Sequence, residues 1–184
     1  MTSDILFLQN SLSFPTLLHF FNSDCPCSRF NLSYFRQLVK TYNKDVQFVV
    51  VLQGSTASYP LADFERYDLP VRLVHDDKEQ IANQLGVYAT PQAVIILEDK
   101  LYYRGNYNRA RYCTLPGTNF TEIALKQAIL GYPLPLLDPK AFITYGCQLP
   151  TQQNQTEEGF FSIFMGDSQQ PLRQNRKKAI CLPH

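Results

Sequence analysis

The chain has 184 residues, 45% of them hydrophobic and 18% charged, and this globular composition excludes a largely disordered protein. Its formal net charge of +1 gives no electrostatic reason to expect nucleic acid as a partner. No apolar stretch is long enough to cross a bilayer, and the N-terminus lacks a signal-peptide pattern. We therefore expect a soluble protein, cytoplasmic by default, or an envelope protein if the chain belongs to a longer precursor.

The first half of the chain alternates apolar runs with an amphipathic segment. Residues 16–21 (TLLHFF) predict a buried strand, and residues 28–42 place their apolar side chains, Phe30 among them, on one helical face. Residues 46–52 (VQFVVVL) predict a second buried strand, which a right-handed crossover would place parallel to the first. Residues 61–67 predict a short helix.

The second half predicts a hairpin and two more helices. The expected elements are a strand at 71–75, a helix at 78–85, strands at 93–97 and 101–104, and a helix at 120–130. This order is typical of an α/β fold with a central mixed sheet flanked by helices. We expect one domain with a C-terminal extension over residues 1–150. Residues 151–184 are polar and Gln-rich, and predict a flexible tail.

The candidate chemistry lies in the segment Cys25-Pro26-Cys27. Pro26 suits the first position of a helix, so Cys25 would be the N-cap residue and its sulfur would face unpaired backbone N–H groups. Both these groups and the helix dipole favour the thiolate, which is the nucleophile in disulfide exchange. Cys27 is close enough to resolve a mixed disulfide on Cys25. The same pair could instead supply two soft metal ligands, or be structurally inert.

Two stretches resemble thioredoxin-like proteins. TLLHFF followed by DCPCSRF resembles their strand–C-x-x-C–helix core, and HDDKEQIANQLGVYATPQAVIILEDKLYYRG resembles the second half of that fold. The resemblance covers about residues 14–130. It implies a cis peptide bond at Thr90-Pro91, with the proline packed beside the active cysteine. It also implies thiol–disulfide oxidoreductase activity on a protein or small-molecule thiol, with no cofactor. The DCP-x-S form and the extension YGCQLP look closest to the redoxin-like branch.

The sequence departs from the family pattern at several positions. Ser28 stands where the family has its second cysteine, and Asp24, whose charge opposes thiolate formation, replaces a tryptophan. His19 stands where the family has a buried acid, and we expect a hydrogen-bonded core histidine there rather than a proton relay. Asn22 replaces the Thr or Ser of peroxiredoxins, which counts against peroxidase activity.

Three further cysteines leave alternatives open. A disulfide between Cys113 and Cys147 could pin the extension to the domain, or either could relay electrons to Cys25 and Cys27. Cys181 is expected to be incidental. The first alternative function is a copper or zinc module with His75 as a third ligand, and the second is a redox-inactive binding module, for which Ser28 is the main support.

Overall fold

The structure is a computed structural model that describes residues 14–54, 69–110 and 117–150. The elements, in chain order, are β1 Thr16–Phe21, α1 Pro26–Tyr42, β2 Gln47–Leu52, β3 Arg72–His75, α2 Gln80–Leu85, β4 Ala89–Thr90, β5 Gln92–Leu97, β6 Lys100–Gly105, α3 Phe120–Ile129, a 3₁₀ turn Pro139–Ala141, and β7 Cys147–Gln148. Five strands form one sheet in the order β3-β2-β1-β5-β6, and β4 pairs with β7 alone.

Strand β1 lies at the centre of the sheet because its residues are apolar enough to be covered on both faces. All six are buried. The strand runs parallel to β2, with Leu17 opposite Phe48, and antiparallel to β5, with Leu17 opposite Ile95. The mixed sheet and the parallel β1–β2 pair confirm the sequence prediction. The last residues of β1 and β2 and the first residue of β5 therefore lie at the same end of the sheet.

Two apolar clusters cover the two faces of the sheet. Alternation along β1 sends Leu17 and Phe21 to the face under α1 and α3, and sends Leu18 and Phe20 to the opposite face with α2. Leu149, just after β7, is buried in that second cluster. The C-terminal extension is therefore part of the packed domain up to at least this residue.

Helix α1 begins at Pro26, which confirms the expected start signal. The side chains that it buries nearest its start are polar or thiol groups, Cys27, Ser28 and Asn31. Phe30, predicted on the buried face, is 58% exposed, so that part of the prediction is wrong. The reason is that Asn31, one position further on, takes the inward direction in this turn.

The remaining boundaries follow the predictions to within two residues, apart from elements too short to be foreseen. The 61–67 helix, the 151–184 tail, Cys113 and Cys181 lie outside the described residues, so these expectations stay predictions. Strands β4 and β7 have two residues each and were not expected. Over the ranges that the structure covers, no helix has both the length and the apolar character needed to span a membrane.

Candidate functional site at the cysteine cluster

Cys25 is the N-cap residue of α1, in an extended conformation. Its amide donates to the carbonyl oxygen of Asn22 at 3.2 Å, and its own carbonyl accepts from the amide of Arg29 at 3.3 Å. The turn before it is fixed by side chains, because the amide of Asp24 donates to Oδ1 of Asn22 at 2.8 Å. The sequence Asn-x-Asp-Cys-Pro thus holds Cys25 at the start of α1, as predicted.

The sulfur of Cys25 is bonded to that of Cys147, 122 positions further along the chain, with the two Cα atoms 5.8 Å apart. Cys27 lies with both residues in one buried cluster of three cysteines. In this cluster Cys25 is 0%, Cys27 is 2% and Cys147 is 3% exposed. We call Cys25, Cys27 and Cys147 the cysteine cluster.

The segment before β5 closes the site from the other side. The Thr90-Pro91 bond is cis, which confirms the expectation from the family resemblance. The carbonyl oxygen of Thr90 lies 3.2 Å from Sγ of Cys25, and Pro91 is buried beside it. Thr90 also pairs with Cys147 in the antiparallel β4–β7 ladder. The structure therefore brings the five sequence-predicted site residues together at the end of the sheet where β1 finishes and β5 begins. These residues are Cys25, Pro26, Cys27, Thr90 and Pro91.

The disulfide partner differs from the one expected. Cys25 is bonded to Cys147 rather than to Cys27, and the suggested Cys113–Cys147 link is not formed, since Cys147 is already engaged. The reason is the β4–β7 ladder, which places Cys147 directly opposite Thr90 and thus over Cys25. The other role considered for Cys147, electron relay to the Cys25 site, agrees with this position. The Gly-Cys pair in the extension was the available sequence signal.

Local electrostatics at the start of α1 favour negative charge on a sulfur at the N-cap. No acidic residue lies in the first helical turn, where the unpaired N–H groups are. The carboxylate of Asp24 is the opposing group, but this residue is exposed to solvent, which screens its charge. Ser28, at the position of the family's second cysteine, is buried, and its hydroxyl accepts from the amide of Asn22 at 3.4 Å. Ser28 thus helps to shape the turn that carries Cys25.

His19 lies under the middle of α1 as an uncharged core residue. Its ring stacks on Phe35 at 4.2 Å between centroids, and Nδ1 shares a 2.7 Å hydrogen bond with the hydroxyl of Tyr107. Complete burial lowers the pKa of His19 to about 3, so the ring is neutral at ordinary pH. The preferred prediction, a hydrogen-bonded core histidine, agrees with these contacts. We call His19, Phe35 and Tyr107 the histidine cluster.

Metal binding gains no support from the geometry. Among the residues that the structure describes, no group of three or more His, Cys, Asp or Glu side chains is arranged to hold a metal ion. His75, the suggested third ligand, ends β3 at the edge of the sheet and is exposed. Two strands, β2 and β1, lie between β3 and β5 in the sheet, whereas the cysteine cluster lies where β1 ends and β5 begins.

The sheet order, its flanking helices and the cis-proline beside a helix-start cysteine define a thioredoxin-like fold. The chain belongs to a family described as a domain of unknown function, DUF6436, whose model matches residues 6–148. The cysteine cluster thus lies within the matched region. No curated protein matches the chain.

Solved structures agree on the fold. An uncharacterized conserved protein from Geobacillus kaustophilus is 23% identical, with a TM-score of 0.63 over 74% of this chain and 77% of its own. A hypothetical protein from Sinorhizobium meliloti 1021 is 17% identical, with a TM-score of 0.62 over 75% and 80%. A thioredoxin-like protein in its oxidised form is 12% identical, with a TM-score of 0.51 over 65% and 80%. At these identities the similarity establishes the fold, and function has to be argued from the site.

Proposed function

We propose that this protein is a thiol–disulfide oxidoreductase in which Cys25 is the attacking thiol and Cys147 resolves the mixed disulfide. The observation that supports it most is the Cys25–Cys147 disulfide at the N-terminus of α1, 3.2 Å from the carbonyl oxygen of Thr90. A structural bond would not need one of its cysteines to be the N-cap residue of a helix. A catalytic one gains from that position, because the positive end of the helix dipole favours the thiolate each time Cys25 is released.

The reaction consumes one substrate disulfide and moves two electrons. The Cys25 thiolate attacks one sulfur of the substrate, the substrate S–S bond breaks, and the leaving sulfur departs as a thiolate that takes up a proton. The Cys147 thiol then loses its proton and attacks Sγ of Cys25, which releases the second substrate thiol. The substrate is reduced to a dithiol and the protein is left with the Cys25–Cys147 bond seen here. An external dithiol restores the reduced protein.

Cys27 has a second place in this proposal. It lies in the same buried cluster as the two bonded cysteines, which makes it a candidate for exchange with either of them without an external thiol. Attack by Cys27 on Sγ of Cys147 would release Cys25 and leave a Cys27–Cys147 bond, with no net change in oxidation state. The predicted Cys25–Cys27 couple requires attack on Sγ of Cys25 instead. Loss of Cys27 should therefore change how fast the mixed disulfide is resolved, but not whether Cys25 attacks.

Reduction of insulin by dithiothreitol tests the assignment of Cys25. The unsubstituted protein should accelerate the reaction, and Cys25→Ser should lose the acceleration entirely because a hydroxyl does not attack a disulfide at neutral pH. Cys147→Ser should form the mixed disulfide and resolve it slowly. The matched control is Cys181→Ser. It removes a cysteine that is distant in sequence from the cysteine cluster, and it should keep the full rate.

Retention of the rate by Cys25→Ser would contradict the assignment. A protein without activity that binds Cu(I) stoichiometrically through its reduced thiols would favour the metal-handling alternative. Absence of both properties would leave a binding module.

A further inference from the structure

The two cysteines of the disulfide are almost completely buried. Cys25 is 0% and Cys147 is 3% exposed, yet exchange requires a thiolate to approach one of the two sulfurs directly. A reductant therefore reaches the bond only during brief local openings of one side of the site. The question is which side of the disulfide is held less firmly.

The Cys25 side is held by the main sheet. Strand β1, which leads to Cys25, has six register pairs with β2 and five with β5. Thr90 and Pro91 lead directly into β5, which is itself paired on both edges. Opening this side would break the centre of the domain.

The Cys147 side is held by a much shorter ladder. Residues 146–149, which we call the strap, pair with β4 at two positions, and the amide of Leu149 donates to the carbonyl oxygen of Tyr88 at 3.0 Å. The side chain of Leu149 adds an apolar anchor, buried in the cluster with Leu18 and Phe20. The only covalent attachment of the strap to the main sheet across the site is the disulfide.

A firm anchor lies immediately before the strap, so a movement can be confined to it. The side chain of Asn106 donates to the carbonyl oxygen of Lys140 at 2.8 Å, and the hydroxyl of Tyr145 donates to the carbonyl oxygen of Asn108 at 2.7 Å. Gly146 follows with a φ of +140°, and a Cβ atom at this position would collide with the carbonyl oxygen of Thr90. The glycine lets the strap lie directly on β4, at the point where the anchored segment ends.

We propose that the strap is a redox-controlled gate: the Cys25–Cys147 bond holds it on β4 over Cys25, and reduction releases it and opens the site. The biological role of this gate rests on the proposed function, but its test does not depend on that function. In the oxidised protein the gate keeps a second disulfide substrate from the site. In the reduced protein its release leaves Cys25 and the backbone groups of Ala89 and Thr90 accessible.

Hydrogen–deuterium exchange of the full chain, oxidised and then reduced with a phosphine, tests the gate without any enzyme assay. A peptide containing residues 146–149 should exchange at least about tenfold faster after reduction, because the amide of Leu149 loses its partner. At labelling times too short for global unfolding, a peptide from β2, residues 47–52, should stay protected in both forms. Cys147→Ser should show the fast exchange without reductant.

A second variant tests where the strap is held. Gly146→Ala should speed exchange of the strap even in the oxidised protein, because its methyl group would collide with Thr90. The matched control is Gly117→Ala, since Gly117 also has a positive φ, of +78°, but no atom within 4 Å of the built Cβ. It should leave the strap unchanged.

Equal exchange of the strap in the oxidised and reduced protein would overturn the gate. Loss of protection in both peptides at these short labelling times would overturn it as well, since the disulfide would then hold the whole domain together. Failure of the insulin assay with a normal exchange response would instead contradict the proposed function and leave the gate intact.

Discussion

The cysteine cluster and the histidine cluster both bury a reactive side chain completely, yet their surroundings differ. His19 lies on the central strand among aromatic rings, stacked on Phe35 and hydrogen-bonded to Tyr107. Cys25 lies at the end of that strand, under the two-residue β4–β7 ladder that carries Cys147. One group is enclosed by the main core, and the other by a short segment that the disulfide itself attaches.

This difference is the reason that we propose chemistry at only one of the two clusters. Burial keeps the pKa of His19 well below ordinary pH, so its ring stays neutral there. In the proposed gate, the cover over Cys25 depends on a bond that thiols can break. Reactivity in this fold is therefore expected where the covering ladder is short, and not simply where a titratable group is buried.

The largest expected effect comes from removing the bond that attaches the strap. Cys147→Ser should lower the free energy of unfolding of the oxidised protein by about 4–5 kcal/mol, because a disulfide across 122 positions strongly restricts the unfolded chain. Denaturant titration with and without reductant measures this loss. The reduced unsubstituted protein is the control, and it should be nearly as unstable as the variant. Equal stability of the two oxidised proteins would show that the bond is not formed in solution.

A smaller effect is expected from pH at the histidine cluster. The pKa of His19 is about 3 in the folded protein and 6.5 as the reference value, so below pH 6.5 the unfolded chain binds the proton and the folded one does not. The contribution of His19 is therefore complete above pH 6.5 and is lost as the pH falls towards 3. The loss is about 1.4 kcal/mol per pH unit.

His19→Phe should remove that part of the pH dependence while keeping a ring on Phe35. Urea titrations between pH 7.5 and 5 measure the slope. Tyr107→Phe is the matched control, since it removes the hydroxyl that contacts His19 but keeps the buried imidazole and hence the slope. If unsubstituted protein and His19→Phe lose stability equally on acidification, His19 is not held neutral by burial and the contrast between the clusters fails.

The sequence was informative wherever the structure is local. The apolar run of β1, the proline that opens α1 and the Thr-Pro before β5 are each signals within a few residues, and all three lie where predicted. Such elements could be placed because periodicity and helix-start preferences act over one or two turns of chain. These signals determine most of the fold. They also locate three parts of the site, which are the strand before Cys25, the start of α1 and the cis-proline.

The partner of Cys25 could not be predicted because it depends on a contact between distant positions. Strands of two residues, such as β4 and β7, have no periodicity to detect, and the pairing of Thr90 with Cys147 joins segments 57 positions apart in sequence. Phe30 was misplaced for a related reason. The pattern showed an apolar face, but it could not show that the first turns of α1 cover a site lined with polar groups and thiols.

The most direct test of the account is the rate at which each cysteine of the reduced, folded protein reacts with iodoacetamide, followed by peptide mapping across a range of pH. If the amides at the start of α1 hold Cys25 as a thiolate, it should react at least about tenfold faster than Cys181 at pH 6.5, and the difference should vanish in concentrated urea. A Cys25 that reacts no faster than Cys181 in the folded protein, with Cys147 replaced by Ser so that the strap is not attached, would contradict the account.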